Sequence, residues 1–513
     1  MQILYDGIIE ICAKLKVISD LLWEFPTNFK WYSDIPIVGS FSFAIILLLG
    51  SGIYFSIRLK FVQFRYFPKG IKTLFETTKK RDGISPLASF LLSSAMRVGP
   101  GNILGVTGAI SIGGPGALFW MWISAIFSMA TSFVESTLSQ IFKQKDRQSY
   151  IGGMPFYGTK LLKNAAWVGV VLSSLYIVYA FLCLPAQGFN TISGINMLAS
   201  SITNTDIPND SVFNYVVFLI MIISIILMTF KGIKFVSKFT DFCVPIMAVL
   251  YLLTALLLIA LHWNLIPWFF SAVFTGAFKP EAIFGGSLGV ALIQGIKRGL
   301  MTNEAGQGTV SMPAAASNAK HPCEQGNVQS IGVFFDTVVI CTPTAFIVIL
   351  SQMWLKDTSW LSLGKLDQFI ASCDSLSSSA GLNSNIVTII VSLCYGLFAL
   401  TTLAGFLTFS EMCAKRICRG RVFLTFIKLG CVFVVAFGVL ANFAGMDLSS
   451  LWSLSDMANI LMVYANIPLL YIGFKYVKKS FNHYKKTLNS KNPEDKFSGK
   501  TIGIKLDVWD KDK

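Results

Sequence analysis

Charge is what this chain most lacks. Only 13% of its 513 residues are Asp, Glu, Lys or Arg, where a soluble domain has about 25%. The set AVILMFWYC supplies 54% before its 41 glycines are counted, where a soluble domain reaches about 45–50% with glycine included. One ordinary soluble domain cannot hide so much apolar surface, so the composition defines a polytopic membrane protein. Acidic residues are scarcer than basic ones, 27 against 42, for a net charge of +15. In a soluble chain that excess would suggest nucleic acid. Here the bases sit in short loops between apolar runs, with no Gly/Arg stretch or basic–aromatic stripe, so no nucleic-acid partner is expected. The ten cysteines include no CxxC pair, which argues against a metal or disulfide framework. Cys183, Cys243 and Cys341 lie inside apolar runs as small hydrophobes. The three histidines, His262, His321 and His483, fall near loops and compose no relay or metal set. The start of the chain lacks the charged, apolar and small-residue pattern of a signal peptide.

What the chain has is long apolar runs. Residues 1–36 hold an amphipathic stretch (Ile8, Ile9, Ile11, Leu15, Ile18, Leu21, Leu22, Trp23) broken by Pro26, too polar to span and expected at the interface. Eleven runs near the ~20 residues of a span follow, at about 37–57, 86–112, 113–142, 166–198, 213–230, 236–262, 281–318, 326–352, 385–412, 422–441 and 448–476. Bases concentrate in alternate loops. They fall at 58–85 (Arg58, Lys60, Arg65, Lys69, Lys72, Lys79, Lys80, Arg81), 143–165 (Lys143, Lys145, Arg147, Lys160, Lys163), 231–238 and 415–421, and in the tail. The other loops have few: Lys279 in 263–280, Lys356 and Lys365 in 353–384. Positive-inside then puts the N-terminus outside and the C-terminus in the cytoplasm, which requires an odd number of spans; Lys14, Lys16 and Lys30 run mildly against it. Trp31, Tyr32, Trp167, Trp263, Trp268, Trp354 and Trp360 suit an interfacial belt. Residues 353–384 read as the longest external connection, and 484–513 as a partly disordered tail.

Two runs break the rules for a plain apolar helix. One contains Arg97-Val98-Gly99-Pro100-Gly101-Asn102, the other Asn303-Glu304-Ala305-Gly306-Gln307-Gly308. Backbone groups freed by such breaks are tolerated in a membrane only where they line a cavity or bind something. Each break comes early in one half of a ten-helix block, the sequence pattern of a secondary-transporter site. A second half-helix starting near Gly101 presents N–H groups and a positive dipole end to a carboxylate, and a β-carbon at Gly101 is expected to block it. The first half ends in carbonyls near Ala95 and Val98 that suit a hard cation. Carbonyls near Met301 and Thr302 suit a substrate ammonium. The competing reading is close glycine packing at a helix crossing.

Arg97-Val98-Gly99-Pro100-Gly101-Asn102-Ile103 resembles the signature RVGxGNI, and Gly113-Gly114-Pro115-Gly116-Ala117-Leu118-Phe119-Trp120-Met121-Trp122 resembles GGPGAxFWMW. With Gly152-Gly153-Met154-Pro155, Arg298-Gly299-Leu300, Asn303-Glu304-Ala305-Gly306 and His321-Pro322, the stretch 37–480 resembles the alanine or glycine:cation symporter family. The resemblance implies an all-α membrane protein with the leucine-transporter fold. Its eleven helices are one extra followed by five plus five in an inverted repeat. The segments are then 1–36 interfacial, 37–85 the extra helix and a basic loop, 86–262 and 263–476 the two repeats, and 477–513 the cytosolic tail. It implies sodium-coupled uptake of a small neutral amino acid across a prokaryotic cell membrane, alanine or glycine first, with glutamine or serine as the alternative. The bilayer, the amino acid and Na⁺ are the expected partners, and no obligatory protein partner is evident.

The same resemblance places Gly99, Gly101 and Asn102 at the substrate, with Gln187 on the third core helix and Met301, Thr302 and Asn303 in the place of a Phe-Ser-Asn. Thr402 touches substrate or sodium, and Phe406 stands where Trp is common. The sodium set is Ala95, Val98, Thr401 and Thr402. Pro100, Met301 and Phe406 depart from the pattern, and the two on the aromatic wall, Met301 and Phe406, leave the amino acid open. Arg97 costs about 2.5–3.5 kcal/mol in a span and has Glu304 as candidate partner. Glu135, Glu411, Asp241 and Asp336 read as solvated or packing carboxylates. Asn190, Ser193 and Asn196 suit either a pore lining or interhelical bonding. No nucleophile–base pair or metal set marks an enzyme, and no repeated filter marks a channel. A non-transporting amino-acid sensor with this fold is the rival from another class.

Overall fold

The computed structural model describes residues 2–35, 38–76, 82–146, 149–208, 211–278, 287–351, 358–488 and 496–510. Lys79, Lys80, Arg81, Arg147, Lys279, Trp354, Lys356 and the start of the run at 281–318 lie outside them. Among the described residues the chain is helical apart from a two-strand hairpin, β1 (Gln144–Asp146) and β2 (Ser149–Ile151). Among the described residues eight helices are long and apolar enough to cross a membrane: α5 (Gly116–Ile141), α7 (Ala166–Thr203), α8 (Val212–Lys231), α9 (Ile233–Leu261), α13 (Pro322–Ser351), α15 (Ser384–Ile417), α16 (Arg421–Phe443) and α17 (Leu448–Thr487). The shorter α2 (Phe43–Arg58) precedes them. Two broken helices complete the set, α3 (Pro86–Arg97) with α4 (Gly101–Gly113), and α11 (Ser287–Asn303) with α12 (Ser311–Ala316).

Polar caps set the helix starts. Ser85 accepts from the Ala88 amide at 3.0 Å with Pro86 in the first turn, and Asn383 and Asp447 cap α15 and α17. Each supplies one acceptor to amides without intrahelical partners. The helices sort into two groups. In one, α5 packs against α2, α11 and α13; in the other, α7 packs against α15, α16 and α17. At the crossing of α7 and α15 a β-carbon on Gly194 would lie 2.7 Å from Gly396 Cα, so only glycine allows this approach. The cavity lies at the seam between the groups, where α3 meets α15.

Several expectations need correction. Residues 263–280 hold a helix, α10 (Ile266–Phe278), and 353–384 hold α14 (Lys365–Ser379). The hairpin and α6 (Met154–Leu161) fill 143–165. Helix α17 runs to Thr487, beyond the limit of 476. Trp31, Trp167, Trp263 and Trp268 are exposed, but Trp360 is buried and donates to the Gln368 carbonyl at 3.0 Å. The N-terminal segment is a helix, α1 (Gln2–Glu24), packed along α17 rather than lying free.

The tail departs furthest from expectation. Residues 496–510 fold back onto the end of the bundle that carries the basic loops. Phe497, Ile502 and Leu506 are buried there. Trp509 Nε1 donates to the Gln140 carbonyl of α5 at 2.8 Å, and Asp507 meets Lys160 of α6 at 3.4 Å. Phe497 packs on His321, whose ring stacks on His483 of α17. His321 Nδ1 accepts from the Cys323 amide at 3.1 Å and so caps α13. Burial, and then the His483 ring, push its pKa well below the ordinary 6.5. Apolar area returned to the core, which composition alone does not reveal, holds the segment in place.

Candidate functional site

The first break forms because Pro100 brings no amide and Gly99 brings no side chain. Helix α3 ends at Arg97 and α4 starts at Gly101. The gap is bound internally: the Gly99 amide donates to Asn102 Oδ1 at 2.9 Å, and the Asn102 and Ile103 amides donate to the Gly99 and Pro100 carbonyls at 3.0 and 3.1 Å. Among the described residues this leaves the Gly101 amide as the donor of the break with no acceptor, one N–H rather than a bank of them. Asn102 turns its amide away, to Asp336 Oδ1 at 2.6 Å and Cys341 Sγ at 3.2 Å.

The second break, 304–310, turns on three residues with left-handed backbone: Glu304 (φ 56°), Gly306 (φ 88°) and Gly308 (φ 89°). The two glycines adopt this without strain, whereas Glu304 carries a cost. Glu304 is held by Thr309 Oγ1, which donates to its Oε2 at 2.7 Å. The fully buried Glu135 of α5 accepts from the Gly306 amide at 2.8 Å, and Asn466 of α17 donates to the Gly306 carbonyl at 3.0 Å. Glu135 is therefore a buried brace of the break, not a solvated helix-end carboxylate. Glu411 is a packing carboxylate, paired with Lys415 at 3.1 Å and Lys428 at 3.2 Å.

Arg97 joins the two breaks. Its Nε donates to the Asn303 carbonyl at 3.0 Å, Nη1 to Gln329 Oε1 at 3.1 Å and Nη2 to Ser132 Oγ at 3.2 Å. It makes no ion pair with Glu304, so the expected partner is replaced by three neutral acceptors. The guanidinium carries five N–H donors in a planar fork, enough to reach three separated acceptors at once. Asn190 accepts from Tyr395 Oη at 2.8 Å, and Ser193 accepts from Asn442 at 2.9 Å, which assigns both to interhelical bonding.

Between the breaks lies a cavity of about 70 Å³. At roughly 10–15 Å³ per water-sized group, it accommodates on the order of five to seven such groups. Gly99, Gly101, Gln187, Met301, Thr302, Thr402 and Phe406 line it. Asn102 and Asn303 do not; both are fully buried behind the backbone they brace. Phe406 lies against Tyr179 with ring centroids 5.4 Å apart. Sequence reasoning missed Tyr179, Cys183, Trp452, Ser455 and Asn459 on the cavity wall, and Arg298, which pairs with Asp456 at 3.5 Å. The polar interruption Ser453–Asn459 within an apolar run was the available signal.

The oxygen cluster lies beside Gly99. Thr402 Oγ1 is 3.0 Å from the Ala95 carbonyl and 2.9 Å from that of Phe398. Thr401 Oγ1 also reaches Phe398 O, at 3.1 Å, but otherwise turns to Leu397 O and to Met247 Sδ of α9. Thr402 and Ala95 thus meet directly, Thr401 adjoins them through one shared carbonyl, and Val98 follows the last residue of α3.

A cavity between two broken helices of a multi-span bundle is the arrangement of a secondary transporter. The fold is that of the leucine transporters. The crystal structure of MhsT in complex with L-phenylalanine aligns with a TM-score of 0.54 at 14% identity, over 84% of this chain and 97% of that one. The chain belongs to the sodium:alanine symporter family, whose model matches residues 30–498. Its relatives include the amino-acid carrier protein AlsT of Bacillus subtilis, 32% identical over 87% of this chain and 88% of that protein. The probable sodium/glutamine symporter GlnT of the same organism is 35% identical over 82% and 84%. The sodium/alanine symporter AgcS of Methanococcus maripaludis is 31% identical over 83% and 90%. The protein is an integral membrane transporter.

Proposed function

We propose that the protein is a sodium-coupled symporter of a small neutral amino acid, with alanine the first choice. The observation that carries this is the junction at Gly99: the Thr402 hydroxyl sits on the Ala95 carbonyl at 3.0 Å and beside a cavity of small amino-acid size. In this reading Na⁺ takes oxygens from Ala95, Val98, Thr402 and Thr401. The amino acid's carboxylate faces the Gly101 amide and its ammonium faces the end of α11. Cation binding at Thr402 fixes Gly99, which belongs to the cavity wall, so the two cargoes favour each other. The names of AlsT, GlnT and AgcS support an amino-acid cargo, and two of them support sodium. Residues 86–262 and 263–476 are the two repeats. By the positive-inside rule the end with the basic loops faces the cytoplasm and the N-terminus lies outside.

A second cargo is favoured by a specific feature. Gln187 Oε1, Arg298 Nε, Trp452 Nε1 and Ser455 Oγ are buried on the cavity wall without hydrogen-bond partners among the described residues. Donors and acceptors together match a hydroxyl or carboxamide, as in serine or glutamine. Purified protein in liposomes, given labelled alanine, glycine, serine and glutamine under a Na⁺, Li⁺ or proton gradient imposed separately, decides between them. Uptake that follows the Na⁺ gradient supports the reading, and uptake indifferent to Na⁺ overturns it. Counterflow separates a carrier, which exchanges label, from a sensor, which binds without flux.

A further inference from the structure

Helix α1 precedes the two broken helices, and none of its described side chains lines the cavity, yet it reaches the cavity wall. Leu15 packs into the apolar cluster of Ala186, Phe189, Leu451 and Leu454, and Ala186 adjoins the cavity residue Gln187. Farther along α1, the Leu22 carbonyl accepts from Tyr464 Oη at 2.8 Å. Trp23 is only 4% exposed, and its Nε1 donates to the Asp456 carbonyl at 3.0 Å. Lys297 Nζ lies over the Trp23 ring, 4.9 Å from its centroid. The Asp456 carboxylate faces both Lys297, at 3.8 Å, and Arg298, at 3.5 Å. Arg298 lines the cavity, with its δ-carbon 3.9 Å from where a β-carbon on Gly105 would sit.

We propose that α1 closes the cavity on the side away from the basic loops, with Trp23 as the positioning residue that holds Asp456, and through it Lys297 and Arg298, in place. Both ion pairs are long, so their strength depends on where the Asp456 backbone stands. Trp23 fixes that position by a hydrogen bond and fixes Lys297 by its ring face, two contacts from one side chain. Three of the helices that line the cavity, α7, α11 and α17, all meet α1 or its indole. A helix serving only as a membrane anchor has no need of a buried tryptophan bonded to a main-chain carbonyl beside a cavity ion pair.

The test has two arms, one resting on the transport reading and one independent of it. In liposomes, with alanine as the probe and Na⁺ saturating, Trp23→Phe is expected to raise KM about 2–12-fold, the loss of one net hydrogen bond, with Vmax per transporter unchanged. In an Asp456→Asn background the same substitution is expected to leave KM where it is. A fall in Vmax with KM unchanged, or the full KM effect persisting beside Asp456→Asn, overturns the positioning role. For the second arm, protein in nanodiscs is treated with a small polar thiol reagent, and modification of Cys183, a buried residue of the cavity wall, is followed by mass spectrometry. Trp23→Ala removes both contacts and is expected to speed this modification on the order of tenfold, with buried Cys373 and exposed Cys418 keeping their rates. An unchanged rate at Cys183, or equal acceleration at Cys373, overturns the closure. A wild-type protein that takes up none of alanine, glycine, serine and glutamine defeats the transport reading and leaves this arm to decide alone.

Discussion

A β-carbon on Gly99 tests how cargo and cation are joined. Built on the backbone, it lies 2.7 Å from Thr402 Oγ1, roughly 0.7 Å short of ordinary van der Waals contact. The hydroxyl cannot simply step aside, because the Ala95 and Phe398 carbonyls hold it at 3.0 and 2.9 Å. A β-carbon on Gly101, by contrast, meets only Thr302 Cγ2 at 3.8 Å and Trp452 Cη2 at 3.9 Å, so Gly101 tolerates alanine in space and Gly99 does not. Gly99→Ala must therefore displace the hydroxyl that the proposal gives to Na⁺. Losing one hydrogen-bond-like contact to a charged partner costs about 1.5–3 kcal/mol, so the Na⁺ concentration for half-maximal uptake should rise about 10–150-fold. The assay is initial uptake against Na⁺, with choline holding ionic strength constant. Thr402→Ala removes the clash and the ligand together, so adding Gly99→Ala to it should change Na⁺ dependence little. Unaltered Na⁺ dependence in Gly99→Ala, or effects that multiply in the double variant, would refute the argument.

Thr402→Val should raise the Na⁺ requirement about 10-fold or more, and Thr401→Val should do so less, because its hydroxyl reaches Leu397 O, Phe398 O and Met247 Sδ but not the Ala95 carbonyl; parallel Na⁺ titrations of uptake compare them. Phe406→Trp enlarges the ring that faces Tyr179 and should shift competition toward glycine and alanine by roughly 10–200-fold against larger neutral amino acids, read from the inhibition of labelled alanine uptake. The folded chain keeps His321 neutral, whereas the unfolded chain takes a proton near the ordinary 6.5. This group's stability contribution is therefore whole above that pH and is lost as pH falls below it. His321→Asn keeps a capping acceptor and should flatten the fall in melting temperature on acidification; an identical slope in the variant would count against the assignment.

The spans were legible because apolar runs near 20 residues have few alternatives, and both breaks because glycine, proline and a polar run mark them locally. The α3–α4 junction lies where Arg97-Val98-Gly99-Pro100-Gly101 puts it. What the sequence withheld are choices among distant partners. Arg97 has a carboxylate candidate in Glu304, but its actual acceptors, Asn303 O, Gln329 and Ser132, emerge only when three helices are packed. Asn102 reads as a substrate residue by its position and serves as a brace, because its amide finds Asp336, far along the chain. Trp23 reads as part of an amphipathic stretch at the interface until α1 and α17 are brought together, where its indole bonds to the Asp456 carbonyl. Helix α14 hid in a stretch read as a loop because Lys365, Asp367, Asp374 and its serines lower the apolar signal, and α10, which carries no charge, because its 13 residues fall short of a span.

The folded-back tail ties assembly to the order of synthesis. Trp509 bonds to a carbonyl of α5 that precedes it by 369 residues. At about 5–20 residues per second, the end of α5 waits on the order of 20–70 s for its cover. During that interval Gln140 and Lys143 face the aqueous side without the Trp509 indole, and α13 lacks the ring of Phe497 over its capping histidine. Closure of the basic end is thus a late folding event that long-range contacts make slow. Chaperones or proteases that sample this face can distinguish a finished transporter from one whose helices are all inserted but whose final 15 described residues have not docked.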